Sequence, residues 1–197
     1  MIRIGLTGSI GMGKSAVAAM FVRQGVPVFD ADAEVHRLQG PGGSLVPAIE
    51  ARFPGTTGPN GVDRQTLGAS VFGKPDALRA LEHIVHPAVY LARQKFLRKN
   101  RAHKMVVLDI PLLFEKNGVR QDDLVVVVSA PVWVQRKRVL ARPGMSDGKF
   151  KRIKALQMPD HEKRRRADHV IETGRLRHET RAAVSHLIAC LRARKSG

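Results

Sequence analysis

The chain has little of several things that other protein classes need. Its 197 residues include a single cysteine, Cys190, which excludes an internal disulfide framework and fits a reducing cytoplasm. No run approaches the roughly 18 apolar residues of a membrane span, and no signal peptide is expected. Aromatic side chains make up only 5% of the sequence, and beyond Trp133 the only one is Phe150. Stacking platforms for single-stranded nucleic acid are therefore scarce. Acidic residues are scarce too: 17 Asp and Glu stand against 34 Lys and Arg, for a formal net charge of +17. Such a balance attracts polyanions, so nucleic acid has to be weighed as a partner. The excess gathers after residue 134, in QRKR (135–138), KFKRIK (149–154) and EKRRR (162–166). With so few aromatics among them, these runs fit arginines that clamp phosphates of a small substrate, plus a solvated basic surface. Cys190 lies in an apolar helical stretch with Val184, Leu187, Ile188 and Leu191, which predicts a packed core residue rather than a nucleophile.

Residues 8–15 read GSIGMGKS, the G-x-x-x-x-G-K-S phosphate loop, and they follow the apolar run Ile2–Leu6. Gly8, Gly11 and Gly13 let the backbone turn tightly and aim amide N–H groups at phosphate oxygens. Lys14 reaches the β- and γ-phosphates, and the Ser15 hydroxyl is a Mg²⁺ ligand. The helix opening at Lys14 points its positive end at the same anion. Gly8, Gly11, Met12, Gly13, Lys14, Ser15 and Ala16 make up the predicted ATP site, with ATP as co-substrate and Mg²⁺ as cofactor.

Periodicity predicts an alternating α/β plan. Strands are expected at about 2–6, 26–29, 105–109, 124–129 and 169–171. A first helix spans about 14–24, burying Val17, Ala18, Met20 and Phe21 and ending at Gly25; a last one spans about 175–194. Continuous β-branched runs at 105–109 and 124–129 suit parallel strands covered on both faces. The expected fold is a three-layer α/β/α phosphate-loop NTPase with a five-stranded parallel sheet. One domain fills 1–197: a core of about 1–32, 104–141 and 159–197, a helical insertion at about 33–103 and a lid at about 142–158. The insertion is too long for one crossover and suits a second substrate; helical patterns mark 64–73, 75–85 and 87–101 within it. The lid, rich in Arg and Lys, suits closure over phosphates.

Asp30 and Asp32 end the second strand, at the edge where open α/β sheets bind ligands. One of them can cap the next helix; the other is left for Mg²⁺ or for use as a base, and Asp32 is the better base. Asp109 closes an apolar strand, where a metal-binding carboxylate sits in this class of site. Ser15, Asp30 and Asp109 are the metal candidates. Glu115 is either a surface charge or a salt-bridge partner of a substrate-binding arginine. Pro87 fits the first turn of a helix, with His86 just before it; a lone histidine is more often structural, the alternative being substrate contact. Arg136, Arg138 and Arg142 fall on a helix and its exit, and arginine suits phosphate binding and charge neutralisation during phosphoryl transfer.

Taken together, IGLTGSIGMGKS (4–15), FDADAEVHRL (29–38), VHP (85–87), VVLDIPLLFE (106–115), QRKRVLAR (135–142), RIKALQ (152–157) and RRADHVIETG (165–174) resemble the dephospho-CoA kinase family over nearly the whole chain. The resemblance implies ATP at the phosphate loop, Mg²⁺, an acceptor-binding helical insertion, a lid, and phosphorylation of the ribose 3′-hydroxyl of dephospho-CoA in the cytoplasm. By position it implies Asp32 as base and Arg142 as the lid arginine; Lys14 joins them as a catalytic candidate, and Asp32, His86, Glu115 and Arg136 are the acceptor-binding candidates. Nucleic acid and membrane are not expected partners, and oligomeric state is left open. Ala16 stands where many members have Thr, and Thr173 where many have Asn, in the turn near 172–174 expected to meet adenine. Two other readings are a kinase of another small metabolite and a nucleic-acid-stimulated NTPase.

Overall fold

The computed structural model describes residues 1–115 and 122–193. Its first elements are β1 (Ile2–Thr7), α1 (Lys14–Arg23), β2 (Val28–Asp30), α2 (Ala31–Gln39) and α3 (Val46–Arg52). A small hairpin of β3 (Thr57–Gly58) and β4 (Gly61–Val62) precedes α4 (Arg64–Val71) and α5 (Pro75–Lys99). Then come β5 (Met105–Asp109), β6 (Leu124–Ser129), α6 (Val132–Leu140), α7 (Asp147–Ala155), α8 (Asp160–Arg166), β7 (His169–Glu172) and α9 (Arg177–Ala193). The chain divides into two compact units, one of Met1–Phe29 with Asn100–Gly197 and one of Asp30–Lys99.

In the larger unit the strands form one parallel sheet in the order β2-β5-β1-β6-β7, flanked by helices. The first strand is central: Ile4 pairs with Val107 on one side and Leu124 on the other, and Leu6 with Asp109 and Val126. β5 and β6 are buried at every position, as their β-branched runs require. Val17, Met20 and Phe21 of α1 and Val184, Leu187, Ile188 and Leu191 of α9 share one apolar cluster with Ile4, Leu6, Val107, Val126 and Val128. Helix α1 stops at Arg23, and Gly25 takes φ 74° just past its end. Cys190 departs from its expected place. The apolar stripe of α9 faces inward at 184, 187, 188 and 191, so Cys190 is turned outward and exposed, 3.5 Å from His186 Nε2.

The unit of Asp30–Lys99 has its own core of Leu38, Leu45, Ile49, Phe53 and Leu67, against which α5 lays Ala77, Ala80, Leu81, Ile84, Val85, Ala88 and Val89. That stripe runs unbroken across Pro87. The two helices expected at 75–85 and 87–101 are therefore one 25-residue helix with Pro87 inside it. Proline removes one backbone hydrogen bond there, and apolar burial on both sides outweighs the loss. No described helix is long and apolar enough to cross a membrane.

Candidate active site

The central strand delivers the phosphate loop. Gly11 and Gly13 take φ of 78° and 90°, a region that L side chains avoid, and Gly13 is the N-cap of α1. Gly8 has a different reason to lack a side chain: a Cβ there would stand 2.7 Å from the Val128 carbonyl oxygen. No acidic residue occupies the first turn of α1, so its amide end keeps its positive field. Ser15 and Ala16 are exposed at that end. Lys14 Nζ forms an ion pair with Asp109 Oδ1 at the end of β5, and the Asp109 side chain is only 3% exposed.

The far side of the loop is held by groups that carry no motif. Thr173 is buried; its hydroxyl donates to the Met12 carbonyl at 2.6 Å. Arg138 then donates to Thr173 Oγ1 at 3.0 Å and to the Thr173 carbonyl at 2.6 Å. Ala130 N–H points at Met12 Sδ, 3.1 Å away. Threonine at 173 thus supports the loop from beneath, and its hydroxyl is engaged there. Beside the loop a cleft of about 670 Å³ is lined by Ser9, Met12, Gln135, Lys151, Lys154 and Asp160, among others. Its basic wall belongs to α7.

The two aspartates after β2 divide their work. Asp30 is the N-cap of α2, accepting Ala33 N–H at 2.9 Å, which is the capping role open to one of the pair. Asp32 is exposed in the first turn of α2 and makes no hydrogen bond among the described residues. His86 is exposed within α5 rather than ahead of a helix. Arg142 is exposed just beyond α6. Arg136 is drawn to the neighbouring helix: its Nε donates to Asp147 Oδ1 at 3.0 Å. Lys151 first, then Arg136, hold the Asp147 carboxyl below the usual carboxylate range. The oxygen donors at the loop suit Mg²⁺. Ser15 and Asp109 offer one hydroxyl and one carboxylate, and among the described residues no cluster of three or more acidic, His or Cys groups forms a full cage. Mg²⁺ is commonly held by one or two protein groups while substrate phosphates and water complete its shell.

Glu115 differs from both expected settings. Among the described residues its charged partner is a lysine rather than an arginine, and it is not a free surface charge. Its Oε1 lies 2.6 Å from Nζ of Lys163, a fully buried lysine of α8, and accepts Met158 N–H at 3.0 Å. The pair ties the turn after β5 to α8, and the Met158 bond ties it to the segment between α7 and α8. Glu115→Ala would leave an uncompensated ammonium in the interior, which costs about 3–5 kcal/mol. The double variant Glu115→Leu/Lys163→Met should recover most of that, because both charges leave together. Urea midpoints of the two variants check this; equal destabilisation in both would show that the pair's charge is not what matters.

The family model described as dephospho-CoA kinase matches residues 2–177. A dephospho-CoA kinase from Novosphingobium aromaticivorans is 62% identical over 189 residues, covering 96% of this chain and 94% of that protein. A solved structure from Thermus thermophilus superposes with a TM-score of 0.85 at 36% identity, covering 96% of this chain and 97% of that one. A dephospho-CoA kinase from Campylobacter jejuni shares the fold, with a TM-score of 0.64 at 24% identity over 96% of each chain. With the phosphate loop, the carboxylate at the end of β5 and a family match over most of its length, the chain belongs to the dephospho-CoA kinase family.

Proposed function

We propose that Lys14, Ser15, Asp32 and Arg142 carry the chemistry of this chain, the ATP-dependent phosphorylation of dephospho-CoA at its ribose 3′-hydroxyl. The activity comes with the family: the chain is a kinase, and its reaction is the final step of CoA biosynthesis. The observation that best supports the residue roles is the Lys14–Asp109 pair at the carboxyl ends of β1 and β5. It keeps the ammonium at the loop, ready to be taken over by the β- and γ-phosphates. The loop amides and the N-terminus of α1 bind the same oxygens. Ser15 would hold Mg²⁺, with Asp109 offering a carboxylate, and the ion would supply neutralisation of phosphate charge when bound. Asp32 orients the acceptor hydroxyl and accepts its proton. Arg142, on the basic segment 142–158 that we read as a lid, offsets the charge that grows on the transferring group. Residues 30–99 supply the acceptor site, with His86 among the acceptor contacts. We assign the reaction to the cytoplasm, with no nucleic-acid partner.

The test is a panel of acceptors offered with ATP and Mg²⁺: dephospho-CoA, adenosine monophosphate, shikimate and no acceptor, each with and without polynucleotide. ADP formed at one equivalent per dephospho-CoA consumed, with the phosphate on the 3′-oxygen, supports the reading. Turnover stimulated by polynucleotide and steeply salt-dependent would instead favour the NTPase suggested by the charge.

A further inference from the structure

Two glutamines take both polar backbone groups of one phosphate-loop residue. Ile10 N–H donates to Gln157 Oε1 at 3.0 Å. Gln135 Nε2 donates to the Ile10 carbonyl at 2.8 Å. The backbone itself fixes which end of each amide faces it, since an N–H requires an oxygen and a carbonyl requires an NH₂. Gln157 therefore serves as acceptor and Gln135 as donor. One comes from the helix before the basic segment and the other from near the segment's end. Gln135 is 1% exposed on α6, the helix that leads into Arg142. Gln157 stands two residues past the end of α7 and returns its own N–H to the Lys154 carbonyl at 3.1 Å. The helix before the segment and the exit of the segment are thus bonded to the same residue of the loop.

Nothing in phosphate recognition calls for these side chains. Ile10 is not among the residues expected at the ATP site, which are Gly8 and residues 11–16. What Ile10 does is decide how the following residues are presented. Gly11 and Gly13, at positive φ, make the loop conformationally free, and a free glycine-rich loop has to be ordered each time it binds. We infer that Gln157 and Gln135 are positioning residues that clamp the phosphate loop at Ile10 to the helix leading into the 142–158 segment and to the exit of that segment, holding the loop in its anion-binding form and tying its shape to the position of that segment. The inference rests on the proposed function only in taking ATP as the loop's ligand.

The opposite polarities give a test. Gln157→Met keeps the length and removes the acceptor. Gln157→Glu keeps an acceptor oxygen. Gln135→Glu removes the donor and puts a carboxylate where Gln135 Oε1 is already buried without a partner. ATP affinity is read by calorimetry without acceptor, and KM and kcat with dephospho-CoA. The expected result is a loss of about 2- to 10-fold in ATP affinity for Gln157→Met, the scale of one net hydrogen bond, with kcat changed less than KM. Gln157→Glu should recover most of it in about 0.3 M salt, where the added charge is screened. Gln135→Glu should not recover; if it fails to fold, the variants at the half-buried Gln157 still decide. Unchanged ATP affinity in Gln157→Met, or a Gln157→Glu protein that binds ATP no better than the Gln157→Met protein, overturns the inference. Because affinity is measured without acceptor, a wild-type protein inactive on dephospho-CoA would count against the proposed function and leave this result standing.

Discussion

Asp32→Asn is expected to bind both substrates nearly as the wild type does and to turn over about 10²- to 10⁴-fold more slowly. A sugar hydroxyl is a poor nucleophile at neutral pH, and a carboxylate within hydrogen-bond reach both orients it and takes its proton. Asparagine keeps the shape and can still hydrogen-bond, yet it cannot accept the proton. The division of labour after β2 sharpens the expectation. Asp30 holds the N-cap of α2, and Asp32 is engaged by no described group. Asp30→Asn should cap almost as well and keep most of the activity, since asparagine is an equally good N-cap. The phosphoryl transition state is loose, so part of the Asp32 effect is positioning, which sets the lower end of the range. Both variants should be assayed across a Mg²⁺ series. Normal turnover in Asp32→Asn with a dead Asp30→Asn at saturating Mg²⁺ would mean the two roles are exchanged.

Lys14→Ala should lose about 10²- to 10³-fold in kcat, the loss seen when one preorganised partner of developing charge is removed. Sequence alone argues that the fold should not notice, because the lysine is on a loop and buries little apolar area. The structure changes that expectation. Lys14 faces Asp109, which is almost wholly buried, so alanine removes the cation beside a buried carboxylate. The variant should therefore melt earlier as well as turn over slowly. Lys14→Arg keeps the charge and should restore stability while leaving kcat low, since a planar guanidinium does not reproduce the contact of a compact ammonium. Differential scanning calorimetry and initial rates on the three proteins separate the two effects. Wild-type rates in Lys14→Ala would count against the loop's catalytic role altogether.

The parts legible in the sequence are those whose physics is local. Two β-branched runs gave β5 and β6 their bounds, and glycine spacing gave the loop. The capping reading gave one of the two aspartates a use but could not say which. The hairpin of β3 and β4 has two residues per strand, too few for an alternating pattern. Helix α5 was hidden because proline is read as a boundary, while the apolar stripe on both sides of Pro87 only shows its continuity once its partners are known. The loop's supports were the least legible. Arg138 looked like one more lid cation and is engaged with Thr173. Gln157 is 147 positions from Ile10, and a glutamine carries no spacing rule that would announce such a bond.

The separate core of Asp30–Lys99 has a consequence for how the molecule opens. A core of that size, here Leu38, Leu45, Ile49, Phe53 and Leu67 with one face of α5, rarely supplies more than about 3–5 kcal/mol on its own. Its amides therefore exchange with solvent through a local opening well below the free energy of unfolding the sheet. If residues 30–99 hold the acceptor as proposed, acceptor at about 100 times its dissociation constant would add about 2.7 kcal/mol, a large fraction of that local stability. The cellular supply of acceptor would then set not only the rate of the reaction but how long this smaller unit of the protein stays closed to proteases.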